Sequence, residues 1–366
     1  MTDKQKSLAA LAQVQKTCDA ALDSIAAADG IVPDDLSELK DSEFSTIHKD
    51  FLGLLAYLYS ATTKTALSLK PSSPTYSASS TPLKDLSDNV ARLASNVRVV
   101  RTAYGATILK EMQSSAQSVV AAIHGLTQTL ISDLSSSNEP GEEYLSKVGE
   151  IHHAIDRIRG SNGLSSNNVA AAHKIWTADQ GSLTDALSEL QEMAESKDEG
   201  DDVFDDGWDE LGLNASQTLA GEELERLKKI ESIIKLCNLL HKTVAKRVLS
   251  ATLQRLPVQP EVNTIVDDLA KDSATFPAAV DDLISTVYSP QDTEEMVEQL
   301  HHMDTVLAKV QSHLTSLFEL EPIEKMLKES VDAGKKSSDV RKWFGTCFDE
   351  IKKLTSLLST SLRDTQ

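Results

Sequence analysis

Residues 44–69 read FSTIHKDFLGLLAYLYSATTKTALSL. Phe44, Ile47, Phe51, Leu54 and Leu58, then Ala61, Thr65 and Leu69, recur at steps of three and four, which gathers them on one side of an α-helix but would scatter them over both faces of a strand. The stretch predicts a long amphipathic helix, opened by Pro33 and running to Leu69, with one face buried along its length. At 1.5 Å per residue the quoted run alone is about 39 Å long. It needs partners of similar reach.

The neighbouring segments supply them. Leu8, Leu11, Val14, Cys18, Leu22 and Ile25 repeat the spacing over residues 4–28. Residues 70–82, KPSSPTYSASSTP, show no apolar period and predict a mobile Ser/Pro crossover, with Thr81-Pro82 capping a third helix that carries Leu86, Val90, Leu93, Val97, Val100 and Tyr104. Gly105 interrupts this pattern, which resumes from Ile108 to Leu134. Ile151, Ile155 and Ile158 mark a shorter helix, and Ala172, Ile175, Trp176, Leu183, Leu187, Leu190 and Met193 the next. Further on, Leu224 to Val248 continues as one helical pattern to the stop at Pro257 and Pro260, Val262 to Val287 reads as a helix kinked or split at Pro277, and two more helices carry Met296 to Leu320 and Val340 to Leu358. No strand period competes, and 40% hydrophobic content with only 4% aromatic residues suits helix-on-helix packing. The fold class is all-α, as two antiparallel bundles over residues 1–196 and 217–366 joined by a loop at 197–216.

That loop contains Asp198 to Glu210, DEGDDVFDDGWDE, with eight carboxylates in thirteen residues around Phe204 and Trp208. It is too charged to fold alone and too aromatic for a plain spacer, so Asp201, Asp202, Phe204, Asp205, Asp206, Trp208, Asp209 and Glu210 are candidate partner-binding residues. Charge reverses in the pattern that follows, where Arg226, Lys228, Lys229, Lys235, Lys242, Lys246, Arg247 and Arg255 outnumber the acids. The acidic stretch is expected to lie against that helix.

Reactive chemistry is sparse. With Gly207 at the sixth position of a calcium loop, Phe204 and Leu213 would occupy ligand positions three and twelve, which excludes that reading. Glu150 and His153, like Glu298 and His301, have the Glu-x-x-His spacing of di-iron bundles, but Glu298 and His301 each sit one residue past Val297 and Leu300, about 100° round the helix from the apolar line, so a solvated face is the reading. Cys18, Cys237 and Cys347 lie apart within apolar lines and read as reduced core residues. No nucleophile–base pair, phosphate loop or ligand set for a cofactor emerges. A net charge of −20 opposes nucleic acid and anionic membranes, leaving protein partners. Without an apolar leader or a run of eighteen apolar residues, the expected location is cytoplasm, nucleus or both. Arg247-Val248-Leu249 has the form of a cyclin-docking Arg-x-Leu but lies on an apolar helical line, so it reads as structural; Thr81, in Thr-Pro-Leu-Lys, is a candidate site for proline-directed kinases.

Four runs carry a family resemblance: GATILKEMQSSAQSVVAAI from Gly105, GLSSNNVAAAHKIWTADQGSLTDALSELQEM from Gly163, DDVFDDGWDELGL from Asp201 and EELERLKKIESIIKLCNLL from Glu222. In that order they resemble the cyclin-D-interacting protein family, which includes mammalian Grap-and-cyclin-D-interacting proteins and fungal relatives, and the chain resembles a fungal-type member. The resemblance implies two bundles of the talin and vinculin kind and a non-enzymatic adaptor that restrains cell-cycle progression. The implied partners are a cyclin, a helix-loop-helix-type protein or a scaffold protein. The alternative that talin-like bundles imply is an actin-associated cytoskeletal adaptor.

Overall fold

The computed structural model describes residues 1–135, 142–195, 221–255, 257, 259–321, 323–324 and 340–364. The described residues are all-α, with no strand among them. They form α1 (Asp3–Ala26), α2 (Phe44–Ser68), α3 (Tyr76–Arg98), α4 (Ala106–Ser135), α5 (Glu143–Arg159), α6 (Asn168–Glu195), α7 (Gly221–Thr243), α8 (Pro260–Ser285), α9 (Thr293–Glu319) and α10 (Val340–Arg363). The chain divides into two compact units, Met1–Ala171 with Val258–Thr264, and Ala172–Pro257 with Ile265–Gln366.

In the first unit the helices pack in a ring in the order α1, α3, α2, α5, α4 and back to α1, with α3 also touching α4. The expected apolar lines face inward: Leu11, Val14, Cys18 and Ile25 of α1 meet Phe51 and Leu58 of α2, Leu86 and Val90 of α3, and Ile123 and Leu130 of α4 in one core. Helix α1 starts with a capping box, Thr2 Oγ1 accepting from the Gln5 amide while Gln5 Oε1 accepts from the Thr2 amide. At its other end Gln113 Nε2 donates to the Ala28 carbonyl, beyond the last turn, and to the Ile25 carbonyl, which also accepts from the Ala28 amide.

Four expectations need correction. Pro33 does not open α2; Asp34–Leu39 form a separate 3-10 segment that buries no residue, and α2 begins at Phe44, where burial begins. Within α2 Leu55 is fully buried while Leu54 is only half-buried, because the adjacent leucines of the LGLL run let neighbours decide what periodicity leaves open. Residues 70–82 are not a crossover throughout: α3 begins at Tyr76 and runs through Pro82, and Thr81 is an exposed residue in its second turn rather than its cap. Ser79 is a packing residue. Ser79 and Ser7 are buried with their hydroxyls 2.8 Å apart, and Thr17 and Ser87 repeat the contact at 2.9 Å, so small polar side chains bring α1 and α3 together. Finally, α8 passes through Pro277 unbroken.

The unit boundary also differs from the expected division at residue 196. Residues 172–195 belong with the second unit, where the Trp176 indole donates to the Leu269 carbonyl at 2.9 Å and Asp179 accepts from the Ser273 hydroxyl at 2.7 Å. The loop at 197–216 lies outside the described residues.

Gly105 adopts φ +105°, and an added Cβ would stand 2.0 Å from Asn168 Cγ. Gly105→Ala should lower stability by at least about 2 kcal/mol, since both the backbone and the neighbouring side chain would be strained. Gly53 lies within α2 with nothing within 4 Å of a built Cβ, so Gly53→Ala should raise stability by about 0.5–1 kcal/mol. Denaturant midpoints of the two variants should move in opposite directions.

Candidate protein-interaction surface

Helix α7 divides its residues sharply between inside and outside. Leu227, Ile230, Ile234, Cys237 and Leu240 are fully buried in the second unit. On the inner face His241, also 0% exposed, lies between Trp176 at 4.2 Å and Phe276 at 5.8 Å between ring centroids. Its Nδ1–H donates to Gln180 Oε1 at 3.1 Å, and Gln180 Nε2 donates in turn to Asn238 Oδ1. The other ring nitrogen, Nε2, is buried with no hydrogen-bond partner among the described residues. Burial without a countercharge holds this imidazole neutral, its pKa lowered from 6.5 to about 4.

The outer face carries Lys228, Ser232, Lys235, Leu239 and Lys242, all exposed. At 100° per residue these five fall within about 80° of arc and extend about 21 Å along the axis. Leu239, 48% exposed, is an apolar point between two lysines. Three of the four acids of the same helix are engaged, while Glu225, three residues before Lys228, is exposed. Glu222 pairs with Arg226 at 3.2 Å, Glu231 with Lys235 at 2.6 Å, and Glu223 accepts from the Ser289 hydroxyl and the Gln291 amide. Lys228 and Lys242 have no ion-pair partner within 4.0 Å among the described residues. The result is a lysine stripe with an exposed leucine on a strongly acidic chain.

Helix α7 ends at Thr243, sooner than the apolar line suggests, and passes into a π-turn over Val244–Val248. Val248 and Leu249 are buried there, so Arg247-Val248-Leu249 is a packing element rather than an extended docking sequence. The candidate residues Asp201, Asp202, Phe204, Asp205, Asp206, Trp208, Asp209 and Glu210 lie outside the described residues. Glu150, His153, Glu298 and His301 are exposed, and Glu150 pairs with Lys147 at 3.0 Å. Among the described residues no group of three or more His, Cys, Asp or Glu could hold a metal ion, and no helix is long and apolar enough to cross a membrane. The cysteines are buried free thiols; burial pushes Cys18 up to about 12 and Cys347 to about 11, and raises Cys237 too.

Several polar residues that helical spacing did not single out tie the second unit together. His313 lies 2.6 Å from Asp272, and Thr355 donates to Asp304 at 2.9 Å. Burial lifts both carboxyls, and their partners offset part of the rise. The signal for His241 is its step of four from Cys237 on the apolar line, a position that places an imidazole in the core.

Because the folded pKa of His241 lies below its unfolded value, the unfolded chain binds the extra proton between about pH 6.5 and 4, and stability falls as pH drops through that window. His241 should account for a loss of about 2–3 kcal/mol between pH 7 and pH 4.5. Chemical denaturation of the wild type and His241→Leu at both pH values checks this: the variant should lose that much less on acidification, whatever the shared carboxylates contribute.

Two family models match the chain, the one described as Grap2 and cyclin-D-interacting, N-terminal, over residues 50–196, and its C-terminal counterpart over residues 204–312. The second match includes all of α7. A relative from Danio rerio, named Cyclin-D1-binding protein 1 homolog, is 28% identical over 213 residues, which is 56% of this chain and 58% of that protein. The chain thus spans less than two thirds of the length of this relative.

Proposed function

The chain belongs to the Grap2 and cyclin-D-interacting family, and from that premise we propose that it is a non-enzymatic adaptor that binds a D-type cyclin and restrains cell-cycle progression from the cytoplasm or nucleus. The observation that carries the reading is the pair of family matches, N-terminal then C-terminal, over residues 50–196 and 204–312. The name of the Danio rerio relative, a cyclin-D1-binding protein, supports the choice of partner.

Within this reading the contact is made by Phe204 and Trp208 as apolar anchors, framed by Asp201, Asp202, Asp205, Asp206, Asp209 and Glu210. Aromatic anchors supply most of an interface's affinity, while surrounding charges set encounter rate and selectivity. The purified full chain should bind a D-type cyclin in a surface-based binding assay, and Phe204→Ser/Trp208→Ser should weaken that binding at least tenfold, about 1.4 kcal/mol. No binding by the wild type at micromolar concentration would overturn the choice of partner.

Thr81 belongs to the same reading as a regulatory phosphorylation site. It is exposed in the second turn of α3, and Pro82 has no N–H to donate to the Ala78 carbonyl, which weakens the turns that must open for a kinase. A cyclin-dependent kinase should label Thr81 in the intact chain and leave Thr81→Ala unlabelled at that position. An unlabelled wild type beside a labelled control substrate would remove this site.

A further inference from the structure

We infer that the lysine stripe of α7 is the docking surface for residues 198–210 of the same chain. The inference rests on the reading of those residues as a contact segment and adds what that segment occupies when its partner is absent. Three observations carry it.

Charge is the first. The segment holds eight carboxylates, while Lys228 and Lys242 project from one face of α7 without an ion-pair partner among the described residues. Of the four acids of α7, Glu222 and Glu223 are engaged away from that face by Arg226 and by Ser289 and Gln291, Glu231 pairs with Lys235 on it, and Glu225 is exposed three residues before Lys228, so the three lysines of the stripe outnumber the acids beside it. The second observation is the apolar point: Leu239 lies between Lys235 and Lys242 and is 48% exposed, so it offers a contact to Phe204 or Trp208 that a purely charged face would lack. The third is reach. Roughly a dozen residues separate Trp208 from Gly221, up to about 40 Å when extended, whereas Leu239 lies about 27 Å along the helix from Gly221. Covalent connection makes the encounter intramolecular, at an effective concentration on the order of millimolar, so weak contacts suffice. Exposed ion pairs are individually weak and screened by salt, so the docked segment exchanges readily with a partner that competes for its aromatic residues.

Zero-length carbodiimide coupling of lysines to carboxylates in the full chain, at low salt and without partner, tests the inference by peptide mapping. The Lys147–Glu150 pair, 3.0 Å apart, serves as the internal control for coupling. Lys228 and Lys242 should link to residues 198–210 about fivefold more than Lys229, which is as near in sequence but lies about 100° round the helix from Lys228. Phe204→Ser/Trp208→Ser should bring the Lys242 links down to the Lys229 level, as should 0.5 M salt. Equal labelling of Lys228 and Lys229, or no links at Lys242 while the control couples, would overturn the docking. Mixing isotope-labelled and unlabelled chains distinguishes a second copy as the occupant: links between the two would overturn the intramolecular assignment. Because no cyclin is present, a chain that shows the stripe links and yet fails to bind a D-type cyclin keeps this inference and loses the choice of partner.

Discussion

The buried carboxamide of Asn168 is the constraint on which the first unit depends. Its Oδ1 accepts from the Ile108 amide at 2.9 Å, one of the orphan donors at the start of α4, and its Nδ2 donates to the Asn263 carbonyl at 3.3 Å. Asn263 completes the link by donating to the Ala103 carbonyl at 2.8 Å. Segments far apart in sequence are thereby held by groups that would each be costly to bury unpaired. The same side chain explains Gly105, since any Cβ there would occupy the space that Asn168 fills. One amide thus locates the start of α4, the start of α6 and the first turn of α8.

Both units use the same device on a smaller scale. With few aromatic residues, the helices approach through small or hydrogen-bonded side chains, and the directionality of those bonds selects one arrangement among many that would bury similar apolar area. Ser7 with Ser79 and Thr17 with Ser87 do this between α1 and α3. In the second unit the Trp176 indole, bonded to the Leu269 carbonyl, and His241, bonded to Gln180, combine large apolar contact with a fixed orientation. His152 does so between α5 and α2, stacked on Tyr59 at 3.7 Å and bonded to Thr63.

The surface follows from this interior. Because α7 is anchored by its buried line and by His241, its opposite face is free of packing duty and keeps lysines in register over several turns. A chain with a net charge of −20 would normally surround such a face with acids, yet three of the four acids of α7 hold its own arginine and lysine and the segment at Ser289 to Gln291. Which charges stay unpaired on this face is set by the pairs that the others form.

The sequence by itself determined that the protein is all-α, which lines of residues are buried and that its cysteines are core thiols, because the 3.6-residue period and uninterrupted apolar lines depend only on local geometry. It also made the acidic stretch and the charge reversal after it legible as a candidate site. The tertiary structure alone decided the rest. Ser79 looks like a linker residue until Ser7 of α1 meets it, and Leu54 and Leu55 are equivalent until neighbouring helices choose between them. The grouping of residues 172–195 with the second unit and the selection of Lys228 and Lys242 as unpaired depend on bonds such as Trp176 to Leu269 and Glu231 to Lys235. Periodicity reports which face of a helix is buried, whereas the partner of that face, and the charges left over outside it, are set by contacts between segments that no local pattern encodes.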